Sequence, residues 1–304
     1  MRIGYAVPVS GPWATPENIG RVATRAEELG YSDLWTFQRL LAPVGREMGT
    51  TYRSVADPVV TLAYLAGVTR RIGLGVAVLN MPFHSPALLA KQLGTLQTVS
   101  GGRLTAGLGL GWMPEEFAAS GVPFERRGAR AEEYLDVLRK LWNDEVVEHE
   151  GEFYRIPAAR QEPRPVPGPP RILLGGGADA ALRRAGRLAD GWVSASREDL
   201  RTIGEKIYIV KEAAREAGRD PESLRFVCRG VTTPRPSGRP GRAPLTGSYD
   251  EIRRDVADLA ASGVTDVFHD LNFVSEVVAP DADPAEAMRL AEEMLVELAP
   301  DPRT

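Results

Sequence analysis

Cysteine, histidine and long apolar runs are scarce in this chain of 304 residues, which holds 1 cysteine and 3 histidines. The single cysteine, Cys228, excludes an internal disulfide and a cysteine metal cluster, and we expect no metal site. No run reaches the roughly 18 apolar residues of a membrane span, and the N-terminus lacks the pattern of a signal peptide. A net charge of −4 with scattered lysines and arginines gives no indication of nucleic-acid binding. We therefore expect a cytoplasmic protein without a membrane or nucleic-acid partner.

Strand-like apolar runs alternate with amphipathic helical runs along the chain. The predicted strands lie at 3–9, 33–37, 72–80, 104–112, 171–177, 191–195, 224–230 and 265–271. A helical run follows each of them, and strands this apolar are typical of a parallel sheet that is buried on both faces. This repetition favours a closed (β/α)8 TIM barrel of the α/β class over an open, doubly wound sheet. Because no linker or internal repeat interrupts the pattern, residues 1–304 are interpreted as a single domain.

The alternation breaks once, between about 143 and 170. The fourth predicted helix, 129–142, is followed by a short hairpin at 145–156 and then by a proline-rich stretch at 159–170. The regular pattern resumes with the strand at 171–177. The sequence therefore predicts an insertion after the fourth helix of the barrel.

The fourth predicted strand, LTAGLGLGW, carries a glycine at every second position near its end. Residues two apart in a strand share a face, so one face has no side chains. For Gly107, and for Gly73 and Gly75 in the third strand, we favour tight packing as the explanation. Gly109 and Gly111 lie at the predicted barrel mouth, where we expect a flat ligand against their backbone. The Gly-x-Gly-x-Gly spacing, in a fourth βα unit, argues against a Rossmann fingerprint.

The stretch LLGGGADAALRRAG, 173–186, places three glycines between a strand and a helix. Exposed backbone N–H groups and the positive end of a helix favour an anion at such a turn. Gly175, Gly176 and Gly177 are therefore candidates for binding a phosphate. An ordinary flexible turn between strand and helix is the alternative that the sequence leaves open.

Three stretches taken together carry a family resemblance, namely IGLGVAVLNMPFHSPALLAKQLGTLQTVSGGR, GLGLGWMPEEFAASGVPFERRGARAEEY and LLGGGADAALRRAGRLADGWV. They resemble the bacterial luciferase-like monooxygenase superfamily. Within it, the chain is most similar to actinobacterial oxidoreductases that use the deazaflavin coenzyme F420. The resemblance covers roughly residues 1–298. It implies a (β/α)8 barrel with an insertion after the fourth helix and a cofactor ring that lies across the barrel mouth.

The resemblance also implies roles for particular residues. Gly176 and Gly177 would contact the cofactor phosphate, while Gly109, Gly111 and Trp112 would lie beside the ring and the ribityl chain. These assignments make the bare face of the fourth strand a surface for a tricyclic ring.

Relatives that use the deazaflavin carry a non-prolyl cis peptide at a bulge in the third strand, pressed against the ring. In this sequence LGVAVLN places the cis pair at Ala77–Val78 and puts Asn80 on the family's asparagine. We therefore predict a cis bond between Ala77 and Val78, and we count Ala77, Val78 and Asn80 among the cofactor-binding residues.

The proton-transfer groups of the best-known relatives are absent from this chain. Many relatives carry an acidic residue and a histidine where this chain has Gln38 and Arg39, and Trp112 stands where some carry a catalytic glutamate. The remaining candidates are Gln38, His84 after the third strand and His269 at the end of the eighth, since histidine exchanges protons near neutral pH. For each histidine a structural role is the favoured alternative.

Three further polar residues have simpler interpretations. Glu115 and Glu116 precede a short helical run, EEFAAS, and are expected to stabilise the end of that helix. His149, in the insertion, is expected on the surface.

These observations favour an F420-dependent oxidoreductase that transfers a hydride between C5 of the deazaflavin and a small organic substrate. A monooxygenase that uses reduced FMN and O2 with a partner reductase is an alternative, because a glycine-rich phosphate site suits both cofactors. A flavin-binding protein without catalysis and an unrelated barrel enzyme for sugar phosphates also stay open. The apolar helices at 57–69 and 85–100 are candidates for a homodimer interface.

Overall fold

The computed structural model describes residues 1–46, 48–238 and 240–301. Its strands are β1 (Arg2–Ala6), β2 (Asp33–Thr36), β3 (Gly73–Asn80), β4 (Leu104–Gly109), β5 (Val147–Glu150), β6 (Arg155–Ala159), β7 (Arg171–Gly175), β8 (Gly191–Val193), β9 (Arg225–Val231), β10 (Thr233–Pro234), β11 (Thr246–Gly247) and β12 (Asp266–Asp270). A closed barrel joins β1, β12, β9, β8, β7, β4, β3 and β2 in that order. All neighbouring barrel strands are parallel, so the predicted (β/α)8 barrel is confirmed.

Helices follow the barrel strands and form the outer layer. They are α1 (Pro16–Glu28), α2 (Pro58–Val68), α3 (Pro86–Val99), α4 (Pro114–Ala119), α5 (Arg127–Asn143), α6 (Asp179–Leu188), α7 (Ile203–Glu216), α8 (Tyr249–Ala261), α9 (Ser275–Val278) and α10 (Pro284–Glu297). Within the described ranges, every helix is too short or too polar to span a lipid bilayer.

Four helices begin in the same way, with a capping side chain directly before a proline. Each cap accepts a hydrogen bond from a backbone N–H of the first turn, and each proline occupies a position where its missing N–H has no intrahelical partner. The pairs are Thr15–Pro16, Asp57–Pro58, Ser85–Pro86 and Asp283–Pro284. Local sequence thus determines where these helices start.

Most predicted boundaries differ from the structure by a few residues, as three examples show. The fourth strand ends at Gly109, because Gly111 has a φ of +74°, which lies outside the extended region. The helix predicted at 129–142 begins earlier, at Arg127. The helix predicted at 198–217 begins only at Ile203, because separate turns occupy the residues before it.

Apolar side chains fill two layers, one between the barrel and its helices and one inside the barrel. The inner group consists of Ala6, Trp35, Ala77, Leu173, Val193, Val227 and Phe268. Trp35 stacks on Phe268 with 4.9 Å between the ring centroids. A Cβ on Gly75 would lie 2.5 Å from the Trp35 ring, so packing explains this glycine, as predicted. The filled interior provides a floor for the barrel mouth.

The predicted insertion follows α5 and contains an antiparallel hairpin of β5 and β6. The Glu133 carboxylate holds it to α5 by accepting hydrogen bonds from the backbone N–H groups of Phe153 and Tyr154. It also bonds Nε2 of His149 at 3.1 Å. The expectation that His149 lies on the surface is wrong, since its side chain packs against α5 and is only 11% exposed.

Helices α2 and α3 carry large apolar side chains that are exposed on the surface of the chain. They are Val60, Tyr64, Val68, Leu88 and Val99. A homodimer through these helices stays a prediction.

Candidate active site

A cavity of about 420 Å³ opens at the C-terminal ends of the barrel strands. Its volume falls in the range of small-molecule and cofactor sites. All the residues predicted to contact a cofactor lie in its wall, namely Ala77, Val78, Asn80, Gly109, Gly111, Trp112, Gly175, Gly176 and Gly177. Their contact with a ligand stays a prediction, whereas their placement around one cavity is a feature of the structure.

The wall on one side is a bulge in β3. The pairing of β3 with β4 shifts register between Val76 and Leu79, and the Ala77–Val78 peptide bond is cis, as predicted. The Val78 side chain lies between two glycines. A Cβ on Gly109 would lie 2.5 Å from Val78 Cγ2, and one on Gly175 would lie 3.0 Å from Val78 Cγ1.

Gly109, the last residue of β4, and Gly111, two residues beyond it, therefore have a different explanation from the one predicted. Gly107 packs against the carbonyl of Val76, as favoured from the sequence. Gly109, however, makes room for Val78 rather than leaving its own position open to a ligand. Gly111 has a positive φ, and a Cβ there would lie 3.0 Å from the Phe117 ring. Protein packing and backbone conformation thus require both glycines, although both also line the cavity.

A buried arginine that the sequence analysis did not single out supports the bulge from below. Arg229 Nη1 donates to the carbonyl oxygen of Ala77 at 2.9 Å, and its Nε donates to Asp270 at 2.8 Å. The other oxygen of Asp270 accepts from the backbone and side-chain N–H groups of Asn272. Asn272 also accepts from the backbone N–H of Val9. This network fixes the ends of β3, β9 and β12 and the segment after β1 relative to one another.

The opposite wall is the turn between β7 and α6, where the sequence predicts a phosphate site. The N-cap of α6 is Ala178, which has no side-chain acceptor for the N–H groups of the first turn. Arg127 lines the same cavity, and no carboxylate pairs with it among the described residues. Lys206 approaches Gly177 and is paired with Glu198. First-turn N–H groups and an unpaired guanidinium make this wall suitable for a phosphate.

Comparison with known proteins identifies the family. The family model described as luciferase-like monooxygenase matches residues 1–238. The chain belongs to the luciferase-like monooxygenase family. An uncharacterised protein of Mycobacterium tuberculosis is 36% identical over 209 residues, which are 65% of this chain and 72% of the relative.

Two further comparisons bear on the fold and on the cofactor of relatives. An F420-dependent glucose-6-phosphate dehydrogenase of Amycolatopsis mediterranei is 30% identical over 229 residues, covering 74% of this chain and 66% of the relative. The crystal structure of a monooxygenase from Streptomyces bottropensis superposes with a TM-score of 0.78 at 23% identity, covering 98% of each chain. The second comparison shows a shared fold.

In this luciferase-like barrel, two of the three predicted proton-transfer candidates lie together. Gln38 lines the cavity, and its Oε1 accepts from the backbone N–H of Asn80 at 2.8 Å. Its Nε2 therefore faces Nε2 of His84 at 3.2 Å, and the amide donates to an unprotonated ring nitrogen. Burial lowers the pKa of His84, which also favours the neutral ring. His84 itself lies behind Gln38, outside the cavity wall.

The third candidate, His269, does not reach the cavity. It follows the inward-facing Phe268 along β12, so its side chain points the other way, into the layer between barrel and helices. It is 1% exposed, and its Nδ1 bonds the Thr232 hydroxyl at 2.9 Å. Burial lowers its pKa to about 4. The prediction that His269 is a proton-transfer group is wrong, because strand position alone does not give the direction of a side chain.

Glu115 and Glu116 lie in the first turn of α4, as expected, and Glu116 also forms a buried ion pair. Its carboxylate, 1% exposed, accepts from Arg39 Nη1 at 2.9 Å and from the backbone N–H of Leu40 at 2.7 Å. The pair holds the loop after β2 against α4. Glu115 remains exposed and pairs with Arg46. No local pattern predicts the pair of Arg39 and Glu116, because the partners come from separate βα units.

Proposed function

We propose that the protein is an oxidoreductase that binds F420 and transfers a hydride between C5 of this deazaflavin and a small organic substrate. The observation that carries the proposal is a single cavity walled on one side by the β3 bulge and on the other by the turn before α6. A flat ring system and a phosphate are the two chemical features that these walls suit. The identity of 30% with an F420-dependent dehydrogenase supports F420 as the cofactor.

The residues present fit such a cofactor. The first turn of α6 and Arg127 would hold the phosphate, because no side chain caps that turn and Arg127 donates only a long hydrogen bond, 3.5 Å, to the carbonyl of Phe124 among the described residues. Val78 and Trp112 would contact the ring and its side chain. When bound and reduced, F420 supplies the hydride, so the protein's part is chiefly to bind and orient the reactants.

The protein groups that could handle a proton at this site are few. Gln38 donates to His84 and is itself uncharged, so it is suited to orienting a substrate oxygen rather than to transferring a proton. Arg229 is committed to Ala77 and Asp270 and positions the bulge. A substrate whose reduction takes its proton from water suits this set of residues.

A monooxygenase that uses reduced FMN and O2 is the second candidate function. Membership of the luciferase-like monooxygenase family keeps it in consideration, and the phosphate wall does not discriminate between the two cofactors. A flavin-binding protein without catalysis is the third, and turnover with any acceptor would exclude it.

Parallel titrations of the purified protein with F420 and with FMN, followed by tryptophan fluorescence, test the proposal. Trp112 is half exposed in the cavity wall, so we expect it to be quenched. We expect micromolar or tighter F420 binding and weaker FMN binding. Arg127→Gln should weaken F420 binding by about 10- to 100-fold, because a charged hydrogen bond is lost. The neighbouring Arg126, which pairs with Glu152 outside the cavity, provides the matched control Arg126→Gln.

Tighter binding of FMN than of F420 would favour the monooxygenase as the function. Binding of neither cofactor, or equal effects of the two arginine substitutions, would refute the cofactor site.

A further inference from the structure

Arg39 is a buried arginine in the cavity wall whose hydrogen-bonding capacity is only partly used. Its side chain is 6% exposed. Its guanidinium lies between two aromatic rings, 4.6 Å from the Tyr52 centroid and 4.9 Å from that of Trp112. Nη1 makes the hydrogen bonds of the group, to Glu116 and, at 3.8 Å, to the sulfur of Met113.

The remaining edge of the guanidinium has no hydrogen-bond acceptor among residues 1–46, 48–238 and 240–301. Nε is buried without a hydrogen-bond partner in the described part of the chain. Nε and Nη2 form the side-on edge through which arginine binds planar oxygen acceptors. Buried donors in native proteins are nearly always satisfied, and an exception at a binding cavity indicates a group that a ligand completes. Since Arg39 lines the cavity, the missing acceptor belongs to the occupant of that cavity.

The charge around this edge indicates an uncharged acceptor. Glu116 already neutralises Arg39, and Asp270 neutralises Arg229, the other arginine on this side of the cavity. A carboxylate placed here would add an unbalanced negative charge to a buried site, which is unfavourable. A carbonyl oxygen would satisfy the donor without adding charge.

The side chains near Arg39 also define the shape of the occupant. Phe37, Tyr52 and Trp112 line the cavity on this side, and their rings offer flat apolar surfaces. Such walls favour a planar, conjugated molecule.

Building on the proposed function, we infer that Arg39 determines substrate specificity by binding the carbonyl oxygen of an uncharged, planar α,β-unsaturated carbonyl compound. The hydride from reduced F420 forms the new C–H bond at the β-carbon. The electron pair of the C=C bond shifts towards the carbonyl oxygen, and the Arg39 hydrogen bond stabilises the partial negative charge that grows there in the transition state. Water then supplies a proton to the α-carbon. The substrate gains two electrons and the cofactor loses two.

Two matched probes test the inference on the protein loaded with oxidised F420. Benzylideneacetone is a planar conjugated ketone, and cinnamate carries a carboxylate in place of its acetyl group. We expect calorimetry to detect binding of the ketone and at least about tenfold weaker binding of cinnamate. This comparison uses the unaltered protein, so it holds even where a variant fails to fold.

Arg39→Lys keeps a positive charge for Glu116 and removes the side-on edge. We expect it to weaken ketone binding, and to lower kcat/KM for ketone reduction, by about 10- to 100-fold. Arg46→Lys is the matched control, because Arg46 also lies near Trp112, at 5.8 Å, and pairs with a glutamate, yet lies outside the cavity wall. Its effect should stay within about twofold.

Three outcomes would overturn the inference: the ketone does not bind, cinnamate binds as well or better, or Arg39→Lys behaves like Arg46→Lys. F420 titration of the same samples separates this failure from failure of the proposed function. Normal F420 binding without ketone binding refutes the inference about Arg39 and leaves the proposed function standing. Absence of F420 binding to the unaltered protein refutes F420 as the cofactor.

Discussion

Gly109→Ala should destabilise the protein because its new methyl group would occupy space that Val78 already fills. The Cβ of the alanine would lie 2.5 Å from Val78 Cγ2, while carbon atoms in contact are normally about 3.5–4.0 Å apart. Val78 must therefore move by about 1 Å. Overpacking of this kind costs about 1–3 kcal/mol of the free energy of unfolding.

A double-mutant cycle isolates the contact. Val78→Ala removes both Cγ methyl groups from a half-buried side chain and should cost about 1–2 kcal/mol alone. In the double variant the alanine at 109 meets no Cγ2 atom, so the cost should be close to that of Val78→Ala alone. The expected coupling is therefore about 1–3 kcal/mol, measured by equilibrium denaturant unfolding of the four proteins.

Gly67→Ala provides the matched control for the chemical change. Gly67 lies in α2, and a Cβ there would have no atom within 4 Å. This substitution should stabilise the protein by about 0.5–1 kcal/mol, because alanine loses less backbone entropy in a helix. Additive costs in the cycle would refute the packing argument. Loss of F420 affinity without loss of stability would instead support a glycine required directly by the ligand.

Two further predictions concern stability. Because burial lowers the pKa of His269 to about 4, the folded state excludes a proton that the unfolded state binds below about pH 6.5. The free energy of unfolding should therefore fall by up to about 3 kcal/mol between pH 6.5 and 4, and His269→Asn should flatten this dependence; an unchanged slope would assign it to other groups. Ser248 and Glu251 form a capping box at the start of α8, so Ser248→Ala should lower the unfolding free energy by about 1 kcal/mol, and an unaltered denaturation midpoint would contradict that role.

Much of the fold could be predicted because its signals are local. The alternation of apolar runs and amphipathic helices predicted the barrel, and caps followed by prolines, such as Asp57–Pro58, marked helix starts. The proline-rich stretch predicted the insertion. Each of these signals depends on neighbouring residues, whose preferences act within one strand, turn or helix.

Local sequence signals predict only part of the candidate site. The C-terminal ends of parallel strands meet at one face of a barrel. The strand assignments therefore predicted that the glycines and Ala77–Val78 lie around one cavity. The strand assignments did not predict the direction of the His269 side chain, because successive side chains of a strand point to opposite faces. A shift of one residue moves such a group from the mouth to the layer behind it.

Local residue patterns account for the eight βα units, the capped starts of α1, α2, α3 and α10 and the glycine-rich turn before α6. The pairing of Arg39 with Glu116, 77 residues apart, and of Arg229 with the carbonyl of Ala77, 152 residues apart, arises only once the barrel is folded. The same holds for the contact through which Val78 fills the space beside Gly109. The physical reason is that burial and hydrogen bonding between distant segments depend on closure of the barrel, whereas turns and caps depend on the conformational preferences of a few adjacent residues.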